Sequence, residues 1–247
     1  MSLFDMGAEY FCYGSDVTCS FPISSSRKFT SRQRAVYEGV LNAQRRVITM
    51  LEPGVSWVDC HKAAEAEILK ALIGLDVVVP GSHSVDHLVE IRLGAVFMPH
   101  GLGHLIGIDT HDVGGYLPGH QDRIQQPGLR SLRTSRNLKE GMTITVEPGC
   151  YFIDHLIDEA IKEGSEHAPF LNLNVLDEFR GFGGVRLEDV LEITTFGCEN
   201  YTLCPRTVDE VESVMANKKW PPMTDDDPSL KRTRLTASSP MSFSTPI

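Results

Sequence analysis

The sequence is poor in the features that mark membrane, secreted and nucleic-acid-binding chains. No apolar run within its 247 residues reaches the roughly 18 that a bilayer-crossing helix needs, so no transmembrane helix is expected. Met1-Ser2-Leu3-Phe4-Asp5 lacks the basic and apolar regions of a secretion signal. The expectation is a soluble, cytoplasmic protein with no membrane partner. Cysteine is scarce: the six residues form no CxxC pair, which favours reduced thiols over a disulfide framework. Positive charge is also short, with 23 Lys and Arg against 33 Asp and Glu for a net charge of −10. With no basic stripe interleaved with aromatics, nucleic acid is not an expected partner.

What is present is ordinary globular composition, 41% apolar residues, divided unevenly along the chain. Residues 217–247 carry five of the 14 prolines, many Ser and Thr, and a charge of +2. Such a segment buries too little apolar surface to offset its chain entropy. Residues 217–247 are therefore expected to form a disordered tail, and residues 1–216 the domain. Lys231-Arg232-Thr233-Arg234 reads as a solvated run, with a nuclear-import or anion-binding patch as the other reading.

Within the domain, Leu3–Tyr10 and Val17–Phe21 read as a hairpin around a turn at Gly14-Ser15. Thr30 with Gln33 forms a capping box ahead of Val36, Val40, Ala43, Val47 and Leu51, and Pro53-Gly54 stops that helix. Further helices are expected over Val58–Ile73, Ser84–Leu93, Leu156–Ile161 and Thr207–Met215, and strands over Met142–Val146, Cys150–Phe152 and Gly184–Thr195. The stretch Pro99–Pro127, dense in Gly, His and Asp, reads as a long functional loop. This order favours an α+β architecture over regular βαβ alternation.

Four carboxylates interrupt apolar strand patterns: Asp5, Asp16, Glu147 and Glu188. Each alone reads as an outward-facing residue of an alternating strand. Four together, with a His-rich loop between them, point to a shared site. Clustered carboxylates raise one another's pKa unless cations neutralise them, and two divalent ions match four negative charges. Hard oxygen donors with an imidazole suit Mn²⁺, Co²⁺ or Zn²⁺, so a dinuclear catalytic centre is expected. On spacing alone, His100, His104 and His111 are equally a loop of solvated histidines, and Arg130, Arg133 and Arg136 a solvated basic segment. Trp57 carries no functional signal, and His120, His155 and His167 read as surface residues.

The motifs Asp5-Met6-Gly7, Ser15-Asp16-Val17-Thr18, Met98-Pro99-His100-Gly101-Leu102-Gly103-His104, Asp109-Thr110-His111-Asp112, Thr145-Val146-Glu147-Pro148-Gly149 and Gly184-Val185-Arg186-Leu187-Glu188 follow one another in the chain. Their order resembles the metal-binding domain of the prolidases, the Xaa-Pro dipeptidases of the pita-bread (creatinase/aminopeptidase-like) metallopeptidases. Pro127-Gly128-Leu129-Arg130-Ser131-Leu132-Arg133-Thr134 looks like the prolidase branch in particular. The resemblance implies a hydrolase, a manganese metalloprotease cleaving small Xaa-Pro peptides through a hydroxide activated by two metal ions, and a homodimer. It implies that Asp5 binds one metal, that Asp16 and Glu188 bridge both, and that His104 and Glu147 complete the second ion's shell. Glu147 becomes the proton acceptor, and His100 and His111 line the substrate site and stabilise the tetrahedral intermediate. Arg133 clamps the substrate carboxylate, and Arg186 supports the ligands from behind. Prolidase-like chains carry an N-terminal domain and the first half of the fold ahead of the Asp5 strand, so this chain is expected to be N-terminally incomplete. The alternatives are an Xaa-Pro aminopeptidase and a non-catalytic pita-bread module that binds peptides or proteins.

Overall fold

The computed structural model describes residues 1–119, 121–222, 224, 225 and 227–233. The chain enters on β1 (Ser2–Met6), makes a small hairpin from β2 (Glu9–Tyr10) and β3 (Tyr13–Gly14), and returns in β4 (Val17–Phe21), which pairs antiparallel with β1. The turn expected at Gly14-Ser15 sits instead at Phe11-Cys12. Glu9 pairs with Gly14 and Tyr10 with Tyr13, and both tip residues adopt positive φ, 50° and 68°. That is the backbone a two-residue hairpin turn demands even without glycine.

Two long helices follow. α1 (Ser31–Met50) starts at the capping box: Thr30 Oγ1 accepts from the Gln33 amide at 3.3 Å and Gln33 Oε1 accepts from the Thr30 amide at 3.0 Å. α2 (Trp57–Gly74) is capped by Ser56. Val36, Val40, Val47 and Ile48 of α1 and Trp57, Ile68, Leu69 and Leu72 of α2 are buried, so one helical layer supplies much of the core. The helix expected over Ser84–Leu93 is the shorter α3 (Val85–Glu90), and Arg92 at positive φ separates it from a further turn, α4 (Gly94–Phe97).

The second layer is a set of short antiparallel pairs. β5 (Thr143–Val146) and β6 (Gly149–Phe152) are followed by α5 (Asp154–Ala160) and α6 (Leu173–Asp177), then β7 (Gly183–Arg186), β8 (Asp189–Thr194), β9 (Gly197–Asn200) and α7 (Val208–Met215). β5 pairs with β8 and β6 with β7, while β9 extends β8. The strand expected over Gly184–Thr195 is therefore two strands. The ladder breaks where Glu147-Pro148 faces Leu187-Glu188, because Pro148 has no amide hydrogen to pair. Glu147 and Glu188 both lie in that break, freed from strand alternation.

Past α7 the chain stays on the domain. Leu230 and Arg232 are fully buried, Asn200 Nδ2 donates to the Leu230 carbonyl at 2.9 Å, and the Arg232 guanidinium pairs with Asp225 and, at 2.8 Å, with Glu210. The boundary expected at 216 thus falls inside packed structure. Arg232 is no solvated tail residue, because two acidic groups shielded from water require its charge. Residues 234–247, with Arg234, lie outside the described residues, as does His120.

Candidate metal centre

Strand alternation aims the first group of side chains. Asp16, Thr18 and Ser20 share one face of the β4 segment, and Asp5 joins them because it pairs with Thr18 across the β1–β4 ladder. That face meets the broken hairpin. The Glu188 amide donates to the Thr18 carbonyl at 3.2 Å, Ser20 Oγ donates to the Arg186 carbonyl at 2.9 Å, and Thr18 Oγ1 donates to Glu188 Oε2 at 2.6 Å. Thr18 and Ser20 thus fasten the strand of the two aspartates to the segment holding Arg186 and Glu188.

The His-rich loop comes in along β5 as an added partial strand. Leu105 bridges Ile144, the Thr145 amide donates to the His104 carbonyl at 2.9 Å, and the Glu147 amide donates to the Leu102 carbonyl at 2.8 Å. The approach is so close at Gly103 that a Cβ there would lie 2.0 Å from the Thr145 carbonyl oxygen, which requires glycine. Trp57, given no role in the sequence reading, donates its indole N–H to the Gly103 carbonyl at 3.4 Å.

These constraints bring one donor atom each of Asp16, His104 and Glu188 within 4.8 Å of one another, all three side chains buried. His104 Nε2 is 3.4 Å from Asp16 Oδ2 and 3.5 Å from Glu147 Oε1, and Thr145 Oγ1 donates to Glu147 at 3.2 Å. Asp5 is less enclosed, with its carboxylate paired to the Arg186 guanidinium. Arg186 also donates to Thr18 Oγ1 at 3.2 Å and to the Tyr151 hydroxyl at 2.9 Å, and lies 3.9 Å from Glu147. It touches Asp5 and Thr18 and lies close to Glu147.

The electrostatics are those of a site short of positive charge. Burial, reinforced by Glu147, Asp16 and Asp5, pushes the Glu188 carboxyl up to about 8. Burial likewise raises Glu147, against the pull of His104 and Arg186. Burial alone would raise Asp16, but hydrogen bonds from His104 and Asp5 hold it below the usual carboxylate range. His104 shows the complement: burial opposes its charge, and the bond to Asp16 outweighs burial and raises its pKa. Divalent cations fit this donor set. His104 Nδ1 lies 3.0 Å from the Leu105 carbonyl, an acceptor only, so Nδ1 carries the proton and Nε2 presents a lone pair toward the carboxylates in the neutral ring.

Beside the cluster lies a cavity of about 390 Å³ lined by His100, His104, His111, Ser131, Arg133 and Glu147. A second, of about 480 Å³, is lined by Asp5, Asp16 and Thr110 and shares His111. His111 stacks edge to face on His104 at 4.4 Å, and burial, with help from His104 and Arg133, keeps its pKa down. His100 is half-buried, and desolvation lowers its pKa to about 4, which keeps the ring neutral. Its Nδ1 donates to the Gly101 carbonyl at 2.7 Å and its Nε2 has no partner among the described residues. Arg133 makes no side-chain hydrogen bond or ion pair with a described residue, whereas Arg136 is tied to the Gly114 carbonyl at 2.8 Å. Every residue the sequence reading put at a site lies at this cluster or on its cavities. Thr18, Thr145, Tyr151 and Arg206, whose guanidinium donates to the Thr18 carbonyl at 2.9 Å and to the Glu188 carbonyl, join them unannounced. Thr18 and Thr145 had a signal, each standing two strand residues from a predicted ligand.

The layered α+β domain thus sets clustered acidic and imidazole donors beside an arginine-lined cavity, a donor set that could hold divalent metal ions. The model of metallopeptidase family M24 matches residues 1–195, and the chain belongs to that family. It is 55% identical over 216 residues to the Xaa-Pro dipeptidase of Homo sapiens, a match covering 87% of this chain and 42% of that protein. Among solved structures it resembles proline aminopeptidase P II from Yersinia pestis, with a TM-score of 0.66 and 31% identity over 87% of this chain and 42% of that one. It likewise resembles zinc-substituted Escherichia coli aminopeptidase P in complex with product, with a TM-score of 0.64 and 29% identity over 87% and 41%. The fold is the pita-bread fold that the sequence motifs implied. The chain spans about two fifths of the length of the relatives it matches. No helix among the described residues is long and apolar enough to cross a membrane.

Proposed function

We propose that this chain carries the metal centre of an Xaa-Pro dipeptidase. The observation that supports it most is the convergence of Asp16, His104 and Glu188 to within 4.8 Å, with Glu147 3.5 Å from His104 and the unpaired Arg133 guanidinium on the same cavity. Asp5, Asp16, His104, Glu147 and Glu188 would hold two divalent ions, with Mn²⁺ preferred and Co²⁺ or Zn²⁺ alternatives for the same donors. When bound, such ions supply Lewis acidity, polarising a carbonyl and making water acidic near neutral pH.

The chain's own residues supply the rest. Arg133 offers a planar, permanently charged fork to a carboxylate, which fits a dipeptide's C-terminus. Glu147, its pKa raised by burial, is suited to hold a proton at its carboxylate during turnover. The Nδ1 bond of His100 to Gly101 leaves Nε2 as a bare lone pair, so this ring accepts a hydrogen bond from a substrate N–H. Stabilisation of developing negative charge, which the resemblance shared between both histidines, then falls to His111. Arg186 keeps Asp5 and Glu147 in place while leaving the open side to substrate.

Homodimerisation is supported by the exposed aromatics Phe4, Tyr10, Phe11 and Tyr13 on β1–β3, and a cytoplasmic setting by six free cysteines. The acidic balance speaks against nucleic acid. The test is hydrolysis of Gly-Pro by the chain with added Mn²⁺, beside a Glu147→Ala control. Product from the parent chain alone supports the assignment, and equal product from both ends it. Absence of product from both, with metal still bound, favours a non-catalytic peptide-binding module. Preference for a longer Xaa-Pro peptide over Gly-Pro favours the aminopeptidase alternative suggested by the Yersinia and Escherichia neighbours.

A further inference from the structure

Glu188 stands in the two-residue break between β7 and β8, outside both strand ladders. Arg206, in the connection from β9 to α7, supplies a hold that the ladders do not. Its guanidinium is fully buried and donates from Nη1 to the Thr18 carbonyl at 2.9 Å and from Nη2 to the Glu188 carbonyl. The Thr18 carbonyl also accepts the Glu188 amide at 3.2 Å, so one planar fork grips both segments where they meet. Asp189 balances the charge: its carboxylate lies 2.8 Å from Nε and 2.6 Å from Nη2, is itself buried, and is held by Asn200 Nδ2 at 2.7 Å. What Arg206 passes to the metal cluster is therefore geometry rather than charge, unlike Arg186, which pairs with the Asp5 carboxylate directly. The backbone of Arg206 is fixed as well. Its amide donates to Glu210 Oε2 at 2.8 Å, and its carbonyl accepts from the Tyr37 hydroxyl at 2.8 Å. Glu210 is in turn paired with Arg232 at 2.8 Å, so α1, α7 and the C-terminal segment all bear on where the fork points.

We propose that Arg206 is a positioning residue of the metal centre: it sets the separation between the Asp16 segment and Glu188, and so lets these two carboxylates share a pair of ions. The proposal rests on the metal-centre reading above. Asp16 lies two residues before Thr18 on the same face of its strand, so a shift of the Thr18 carbonyl carries Asp16 with it, while the Glu188 carbonyl belongs to the second ligand itself. Two ions held by shared carboxylates need both at a fixed separation, whereas a single ion follows one carboxylate as it moves. Loss of the fork thus falls on the second ion first. Lysine does not replace it, because a compact ammonium on a flexible stem cannot span two carbonyls and Asp189 in one plane. The bond from Thr18 Oγ1 to Glu188 Oε2, at 2.6 Å, remains in such a variant and keeps the two segments in contact without fixing their backbones.

The test is titration of the metal-free, folded chain with Mn²⁺, followed by electron paramagnetic resonance of the loaded protein. Two ions sharing carboxylates give a spin-coupled spectrum, and an isolated ion gives a six-line one. Arg206→Lys is expected to weaken the second ion about 10- to 100-fold and to replace the coupled spectrum with the isolated one. Should that variant fail to fold, Arg206→Met combined with Asp189→Asn removes both buried charges together and is expected to show the same loss. A general effect of losing a buried ion pair is separated by Arg92→Met combined with Glu65→Gln, a buried pair whose arginine otherwise bonds only to the Val89 and Pro127 carbonyls among the described residues. That control should lower the urea midpoint and keep two coupled ions. Parent affinity and a coupled spectrum in a folded Arg206 variant overturn the proposal, as does loss of the coupled pair in the Arg92 control. Failure of both Arg206 variants to fold assigns Arg206 to the fold alone and overturns it too. A parent chain that binds no Mn²⁺ contradicts the metal-centre reading itself, an outcome distinct from all of these.

Discussion

The four carboxylates were legible in the sequence because each breaks an apolar strand pattern where an outward residue needs no such setting. Their supports were not, since Thr18, Tyr151, Trp57 and Arg206 acquire meaning only from partners 17 or more residues away. The most exposed consequence of the clustering concerns Glu188. Its carboxyl titrates near 8 in the folded chain against about 4.5 in an unfolded one, so folding favours the protonated acid. That contribution is complete below pH 4.5 and is lost as pH rises through 8. In metal-free chain, urea denaturation should therefore show stability falling between these limits, by at most about 1.4 kcal/mol per pH unit from this group. Glu188→Gln should flatten that fall, and saturating Mn²⁺ should remove it, because a bound cation takes the ionised form. An unchanged slope in Glu188→Gln would place the cause elsewhere.

Among the elements, α1 was readable because its capping box is local in sequence and is formed in the structure, where a second box, not read beforehand, opens α7. The division of the β7–β8 stretch was not, because it arises from the residue opposite: Pro148 interrupts the ladder from the other strand. The short elements α6 and β9 offered too few residues for a period to register. The loop carrying His104 depends on one close contact with β5, and Gly103→Ala would force a Cβ into the Thr145 carbonyl. We expect this substitution to cost about 1–3 kcal/mol in urea unfolding and to weaken metal binding. Gly119→Ala, in open space although also strained by its φ of 81°, should leave metal binding unaltered. Equal metal affinity in Gly103→Ala would show that the β5 contact does not position His104.

At the scale of the whole molecule, composition suggested that folding ends near 216, and the structure carries packing to Arg232. Composition misses this because a single guanidinium between Glu210 and Asp225 outweighs the surrounding Pro and Ser. Arg232→Met should leave those acids without their buried counter-charge and destabilise the chain by about 3 kcal/mol, read as a lowered urea midpoint. Match of only two fifths of its relatives' length makes turnover a demanding test of this chain, whereas metal binding tests the centre itself. The most direct measurement is calorimetric titration of metal-free chain with Mn²⁺ at pH 7.5, compared with Asp16→Asn and His104→Ala. Two ions should bind per chain, with proton release from the Glu188 region and loss of at least one ion in each variant. Absence of binding, or binding that survives both substitutions undiminished, would contradict it.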